Sequence, residues 1–253
     1  MNKQKTAQKT ALITGGAKRV GKNISRHLAG NGFNLAISYY SSKQEALDLK
    51  QELTDNFNVT VELLKCNLEN NQDVADLAKS TLDLFADNWS LLVNNASIFQ
   101  HSKMLDDDFL LQLNNNFNIH LLAPTILSHY FSNNAQKQQI NNAQIINIID
   151  KNTINYKTSY FYYLLSKKSL AELTKMSAVA LAPKVRVNGI SPGFIFNLEG
   201  NNKEEELRAV KSGRILTEKL PEVANILQAL DFFLANTAIT GQILAIDAGS
   251  GLL

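Results

Sequence analysis

Cysteine is almost absent: Cys66 is the only one in 253 residues. No internal disulfide can form, and a reducing compartment suits such a chain. Cys66 ends an apolar run, which predicts a small buried hydrophobe rather than a reactive thiol. An excess of one charge is missing too. Lys+Arg number 25 and Asp+Glu 23, a net charge of +2. Nothing in that balance calls for nucleic acid or a membrane surface as partner. No apolar run approaches the roughly 18 residues of a membrane span. Residues 1–10 are polar and basic, without the apolar core of a secretory signal. These absences lead us to expect a cytoplasmic protein in which residues 1–9 form a flexible tail. No linker or internal repeat interrupts the chain, and no metal site is read from it.

What is present is a globular balance, 45% hydrophobic and 19% charged, enough for one large core. Residues 11–14 read as a buried strand meeting the turn Gly15-Gly16, and residues 19–30 as a helix. Further strands are predicted over 33–39, 59–65, 91–94, 144–149, 185–190 and 242–246. Helices are predicted over 43–57, 72–85, 104–113, 116–131, 160–181 and 221–234. This alternation implies an α/β fold: a doubly wound parallel sheet of Rossmann type, with right-handed crossovers, as a single domain over 10–253. Ligands in such sheets sit beyond the carboxyl ends of the strands, near the switch point. Residues just after strands are therefore the informative ones.

After the first strand stands Thr14-Gly15-Gly16-Ala17-Lys18-Arg19-Val20-Gly21. Glycines there allow a tight turn, and the following helix offers free N–H groups and the positive end of its dipole to a pyrophosphate. Gly15, Lys18, Arg19, Val20 and Gly21 are thus candidate dinucleotide contacts, the alternative being a purely structural turn. The second strand ends in Tyr39-Tyr40-Ser41-Ser42 with no acidic residue to take the ribose hydroxyls of NAD. Tyr40, Ser41 and Ser42, with Lys18 and Arg19 nearby, suit a 2′-phosphate, so NADPH is the expected cofactor; Ser41 and Ser42 also suit a helix cap. Asn67-Leu68, after the third strand, fits either an adenine contact or an Asx turn. Asn95, Ala96 and Ser97 leave the fourth strand where a backbone can run against the cofactor.

Tyr163 and Lys167 stand i and i+4 at the start of the long helix, on one face, while Lys168 turns about 100° away. An ammonium beside a phenol lowers its pKa, which would make Tyr163 a proton donor. Asp150 ends the strand just before.

In this order the motifs Thr14-Gly15-x3-Arg19-x-Gly21, Asn94-Asn95-Ala96, Tyr163-x3-Lys167, Arg186-Val187-Asn188, Ser191-Pro192-Gly193 and Thr240-Gly241-Gln242…Asp247-Ala248-Gly249 resemble the short-chain dehydrogenase/reductase family over nearly the whole chain. Arg19 at a glycine position, Ser97 with Phe99 after the fourth strand, and Asp150 in place of a catalytic serine make it most similar to the pteridine reductases. The resemblance implies Tyr163, Lys167 and Asp150 as catalytic residues, with Tyr163 and Lys167 also touching the cofactor, Lys167 at the nicotinamide ribose, and Pro192 and Gly193 against the nicotinamide. It implies Arg19, Ser97, Phe99, Asp150 and Tyr163 around a pterin, with residues 194–214 as a loop over the substrate. Glu204-Glu205-Glu206 in that loop is expected to be a solvated helical face. The implied reaction is NADPH-dependent reduction of dihydromonapterin or dihydrofolate in a homo-oligomer, by resemblance a tetramer. Plainer roles stay open: Phe99 in the core, Asp150 as a helix cap, Ser97 in packing. So do a ketone reductase acting on a 3-oxoacyl thioester, and a nucleotide-binding module without turnover. His120 falls where the family carries a catalytic asparagine.

Overall fold

The computed structural model describes residues 8–196, 198 and 203–253. Most of the expected tail lies outside them. Gln8 and Lys9 are already tied down, by Gln8 Nε2 donating to the Asn58 carbonyl at 3.0 Å and Asn34 N donating to the Lys9 carbonyl at 2.8 Å.

Seven strands are described: β1 (Thr10–Ile13), β2 (Asn34–Tyr39), β3 (Val61–Lys65), β4 (Trp89–Asn94), β5 (Ala143–Ile148), β6 (Val185–Pro192) and β7 (Ile243–Ile246). They form one sheet in the order β3-β2-β1-β4-β5-β6-β7, every neighbouring pair parallel. β1, β4 and β5 are buried at every position. Such continuous burial is what a parallel sheet covered on both faces requires. The covering helices are α1 (Arg19–Gly30), α2 (Lys43–Asn56), α3 (Asn71–Phe85), α4 (Phe109–Phe117), α5 (Ala123–Lys137), α6 (Phe161–Ala180), α7 (Lys203–Lys211) and α8 (Val223–Ala235).

One core packs α1, α2 and α8 on the first face through Ile24, Leu28, Leu49, Leu53 and Phe233. The other packs α3 and α5 through Val74, Leu77, Leu127 and Phe131, with Phe131 edge-on to Trp89 at 5.1 Å. Cys66 is buried in this second core, and burial pushes its thiol pKa up to about 12, so it is the inert hydrophobe expected.

Three helical expectations change. The stretch 104–113 is helical only from Phe109, because Asp106 folds back on Lys103: its Oδ2 accepts from Lys103 N at 2.7 Å. Residues 116–131 are not one regular helix. Between α4 and α5 lies a π-helical turn, Asn118–Leu122, closed by Ala123 N donating to the Asn118 carbonyl. Pro124, which has no N–H to offer the His120 carbonyl, explains the widened turn. The loop 194–214 carries α7, whose Glu206 is buried rather than solvated; residues 197 and 199–202 of it lie outside the described residues.

The chain reverses its winding direction between β1 and β4. The carboxyl ends of those two strands open the crevice where such folds hold a ligand.

Candidate active site

The two strand ends at the crevice are bonded to each other. Thr14 Oγ1 accepts from Asn95 N at 2.9 Å and Ala96 N at 3.1 Å, and Asn95 Nδ2 donates to the carbonyls of Thr14 (2.9 Å) and Gly15 (3.2 Å). Asn95 thus braces the glycine turn with the amide that the sequence offered to a cofactor. The glycines are needed for this brace. Gly15 has φ +60, and a Cβ on Gly21 would lie 2.3 Å from the Gly15 carbonyl oxygen and 2.6 Å from Asn95 Nδ2. Arg19, at the residue opening α1, has φ 50, a left-handed backbone in a position that favours glycine. A strained arginine retained at a helix N-terminus is a local conflict of the kind that marks functional sites.

The surroundings of this turn fit a phosphorylated dinucleotide. Lys18 forms an ion pair with Glu45 in the first turn of α2, and that contact holds the Glu45 carboxyl below its ordinary range. The pair ties the residue before α1 to the first turn of α2, whose N-cap position is Ser42. The Ser42 side chain makes no capping bond. Tyr40 is exposed and Val20 packs on the first core. Asn67 forms the Asx turn anticipated as its alternative, Oδ1 accepting from Glu69 N at 3.1 Å, while Leu68 packs on the second core.

Further along the same edge the reactive groups meet. Tyr163 is 5% exposed, and its hydroxyl donates to Asp150 Oδ2 at 2.9 Å. The other carboxylate oxygen, Oδ1, accepts from Asn152 N at 2.7 Å and Asn152 Nδ2 at 2.9 Å. One Asp150 oxygen thus caps the short turn Lys151–Ile154, the plainer role expected for it, while the other holds the Tyr163 hydroxyl. Lys167 is 2% exposed and donates to the Ile148 carbonyl at 2.8 Å; burial brings its pKa down to about 8, against a smaller opposing pull from Asp150.

One expectation about this group is overturned. Lys167 does not lower the Tyr163 pKa. Its Nζ lies 5.9 Å from the ring centroid and bonds elsewhere, while burial first, then the Asp150 charge and hydrogen bond, raise the phenol far above its ordinary value. Desolvation and a like-charged neighbour both oppose a phenolate.

Phe99 is not core: it is 62% exposed, edge-on to Tyr163 at 4.9 Å and stacked on Tyr160 at 4.3 Å with 10° between planes. Tyr160 is the residue that sequence reasoning passed over. It sits at φ 59 at the start of α6 and shares the aromatic wall with Phe99 and His101. The run Tyr160-Phe161-Tyr162-Tyr163 was the available signal. Tyr162, also passed over, donates from its hydroxyl to the Met104 carbonyl at 2.9 Å and from its backbone N–H to buried Ser102 Oγ at 3.2 Å. These bonds fasten the loop that carries Phe99 to α6.

Pro192 ends β6 opposite Ile246, and Gly193 N donates to the Ile246 carbonyl at 2.9 Å. A Cβ on Gly193 would meet Asp247 at 2.9 Å. Two of the sequence motifs prove structural. Arg186 Nη1 donates to the carbonyls of Phe233, Asn236 and Ile239, and Asn188 bridges to Ile239 and Gln242. Asp247 accepts from Gly249 N and Gly251 N, closing the turn after β7.

Comparison with known proteins agrees with this geometry. A family model described as enoyl-(acyl carrier protein) reductase matches residues 15–251. The 3-oxoacyl-[acyl-carrier-protein] reductase FabG of Rickettsia prowazekii (strain Madrid E) is 30% identical over 251 residues, 95% of this chain and 96% of the relative. The crystal structure of FolM alternative dihydrofolate reductase 1 from Brucella canis complexed with NADP superposes with a TM-score of 0.85 at 32% identity, over 97% of this chain and 95% of that one. The corresponding Brucella suis structure, also with NADP, gives 0.83 at 32% identity, over 97% and 96%. On the family match and these full-length likenesses, the chain belongs to the short-chain dehydrogenase/reductase family.

Proposed function

We propose that this protein is an NADPH-dependent reductase of a dihydropteridine, dihydromonapterin or dihydrofolate, giving the tetrahydro form. The observation that carries the reading is the Asp150 carboxylate on the Tyr163 hydroxyl, at 2.9 Å, on the edge that also bears Phe99. A ketone reductase needs a hydrogen-bond donor for its carbonyl oxygen. A pterin ring presents nitrogens and an amino group, for which a carboxylate is the matching acceptor or proton source. The name of the Brucella structures, alternative dihydrofolate reductase, supports the same substrate class, and their bound NADP the same cofactor.

In this reading Gly15, Lys18, Arg19, Val20, Gly21, Asn95, Ala96, Pro192, Gly193 and Lys167 hold NADPH, with Tyr40, Ser41 and Ser42 at the 2′-phosphate and Asn67 and Leu68 at the adenine. When bound, the reduced nicotinamide supplies the hydride. The chain's own task is the proton. A phenol whose pKa is raised by burial and an ionised neighbour cannot end the step as phenolate beside that carboxylate. An ionised Asp150 would first take up a proton from water and then pass it to a ring nitrogen, with the Tyr163 hydroxyl holding the carboxyl group in place. Phe99, Ser97 and Arg19 position the ring, Phe99 by the face not taken by Tyr160.

A second reading, reduction of a 3-oxoacyl thioester, is favoured by the names of the sequence relatives. Side-by-side NADPH oxidation with dihydromonapterin, dihydrofolate and an acetoacetyl thioester tests both. We expect turnover of a dihydropterin and none of the thioester; the reverse would replace the first reading with the second, and NADPH binding without any oxidation would leave a module without turnover.

We also propose a cytoplasmic homo-oligomer. The exposed Phe109, Leu110 and Leu111 of α4 and Met176 and Val179 of α6 support self-association, and light scattering should report a dimer or tetramer. Among the described residues no helix is long and apolar enough to cross a membrane.

A further inference from the structure

His120 lies at the π-helical turn with its ring 1% exposed, yet both ring nitrogens are bonded. Nδ1 is 2.8 Å from Ser166 Oγ, and Nε2 is 2.8 Å from Ser97 Oγ and 3.4 Å from Ile98 N. The direction of each bond follows from counting hydrogens. Ser166 has one hydroxyl hydrogen and donates it to the Tyr163 carbonyl at 2.8 Å. Toward His120 it can only accept, so Nδ1 carries the ring hydrogen. A singly protonated imidazole then has a bare Nε2. Its donors are the Ser97 hydroxyl at 2.8 Å and, more distantly, the Ile98 N–H at 3.4 Å; the other acceptor within reach of that hydroxyl, the Ile98 carbonyl, is 3.3 Å away. Of the two acceptors near the Ser97 hydroxyl, the bare Nε2 is both the closer and the more buried, so the Ser97 hydrogen goes to His120.

Two consequences follow. The network closes on the carbonyl of Tyr163, an acceptor that passes no proton onward, so His120 cannot relay protons between the site and solvent. And Ser97, exposed in the loop after β4, turns lone pairs rather than its hydrogen outward as long as that hydrogen stays on His120.

We propose that His120 is a positioning residue: by taking the Ser97 hydrogen, it presents Ser97 to the substrate as a hydrogen-bond acceptor and selects a ring bearing an N–H or amino group at that point. The inference rests on the pteridine reading for its ligand, but not for its network.

Two measurements test it. Long-range proton–nitrogen correlation spectra of the unmutated protein, with the His120 signals identified by their loss in His120→Phe, should show the hydrogen on Nδ1 and a bare Nε2. A hydrogen on Nε2 overturns the proposal without any variant having to fold. Binding of 2,4-diaminopteridine and 2,4-pteridinedione to the NADP+-loaded enzyme should favour the diamino compound. Asp150 contributes to that preference in every variant, so the ratio is what reads Ser97. It should fall at least five-fold in both Ser97→Ala and His120→Phe, the second because its Ser97 is free to donate. An unchanged ratio in folded His120→Phe overturns the proposal. If neither pteridine binds, the pteridine reading and the selection proposed from it fail together, while the spectra still decide the network alone.

Discussion

Single residues decide the chemistry, and the two most telling are conflicts with their local rules. Arg19 holds a left-handed backbone that glycine would adopt without strain. Replacing it with glycine should relieve about 1–2 kcal/mol of backbone strain, offset by about 0.4–1 kcal/mol of extra unfolded-state entropy. Arg19→Gly should therefore melt at or slightly above the wild type while binding NADPH about ten-fold more weakly, as expected for a lost charged hydrogen bond. Calorimetry and a fluorescence titration read the two effects separately. Asp150 is the other conflict, a carboxylate facing a phenol. Both were legible from their place in a motif. The direction of the Tyr163 pKa was not, because the spacing of Tyr163 and Lys167 says nothing of burial or of the Ile148 carbonyl that takes the ammonium. Tyr160 escaped for a related reason: its contact is with Phe99, sixty-one residues away in the chain by their numbers, and no local pattern encodes it.

At the scale of elements, strand runs such as 91–94 and 144–149 were readable because both faces of a parallel sheet are buried and the apolar run is continuous. The π-helical turn and α7 were harder. A helix period cannot reveal one extra residue in a turn, and the three successive glutamates of α7 suggest a helical face but not that Glu206 is the one buried. The glycine turn, read as a phosphate cradle, is first a packing joint between β1, α1 and the end of β4. Gly21→Ala drives a Cβ into the Gly15 carbonyl and should destabilise the fold by about 1–3 kcal/mol, with NADPH binding weakened because the turn must shift. Thermal melts of apo and cofactor-bound variant check both. Behind the site, Asn94 Nδ2 donates to Asn147 Oδ1 at 2.8 Å and Asn147 Nδ2 to Thr174 Oγ1 at 2.9 Å, joining β4, β5 and α6. Thr174→Val strands the Asn147 amide and should cost about 1–3 kcal/mol in denaturant unfolding.

For the whole molecule, the architecture followed from alternation of strand and helix patterns, and the switch between β1 and β4 placed the site. A pH dependence also belongs to this scale. Burial, and less strongly Lys167, hold the His120 pKa well below 6.5 in the folded protein. The unfolded chain takes up a proton that the native state refuses, so stability is intact above about pH 6.5 and is lost as pH falls below it, by up to about 1.4 kcal/mol per pH unit. The drop in melting temperature from pH 7.5 to 5.5 should be smaller in His120→Phe than in wild type. Equal drops would mean that the buried ring is not what resists acid.

The most direct test of the central claim is the single-turnover rate of dihydromonapterin reduction, at saturating NADPH, in wild type and Asp150→Ser. A proton supplied through the carboxylate predicts a fall of about 100-fold or more with the NADPH dissociation constant unchanged. An undiminished rate in that variant would contradict the account.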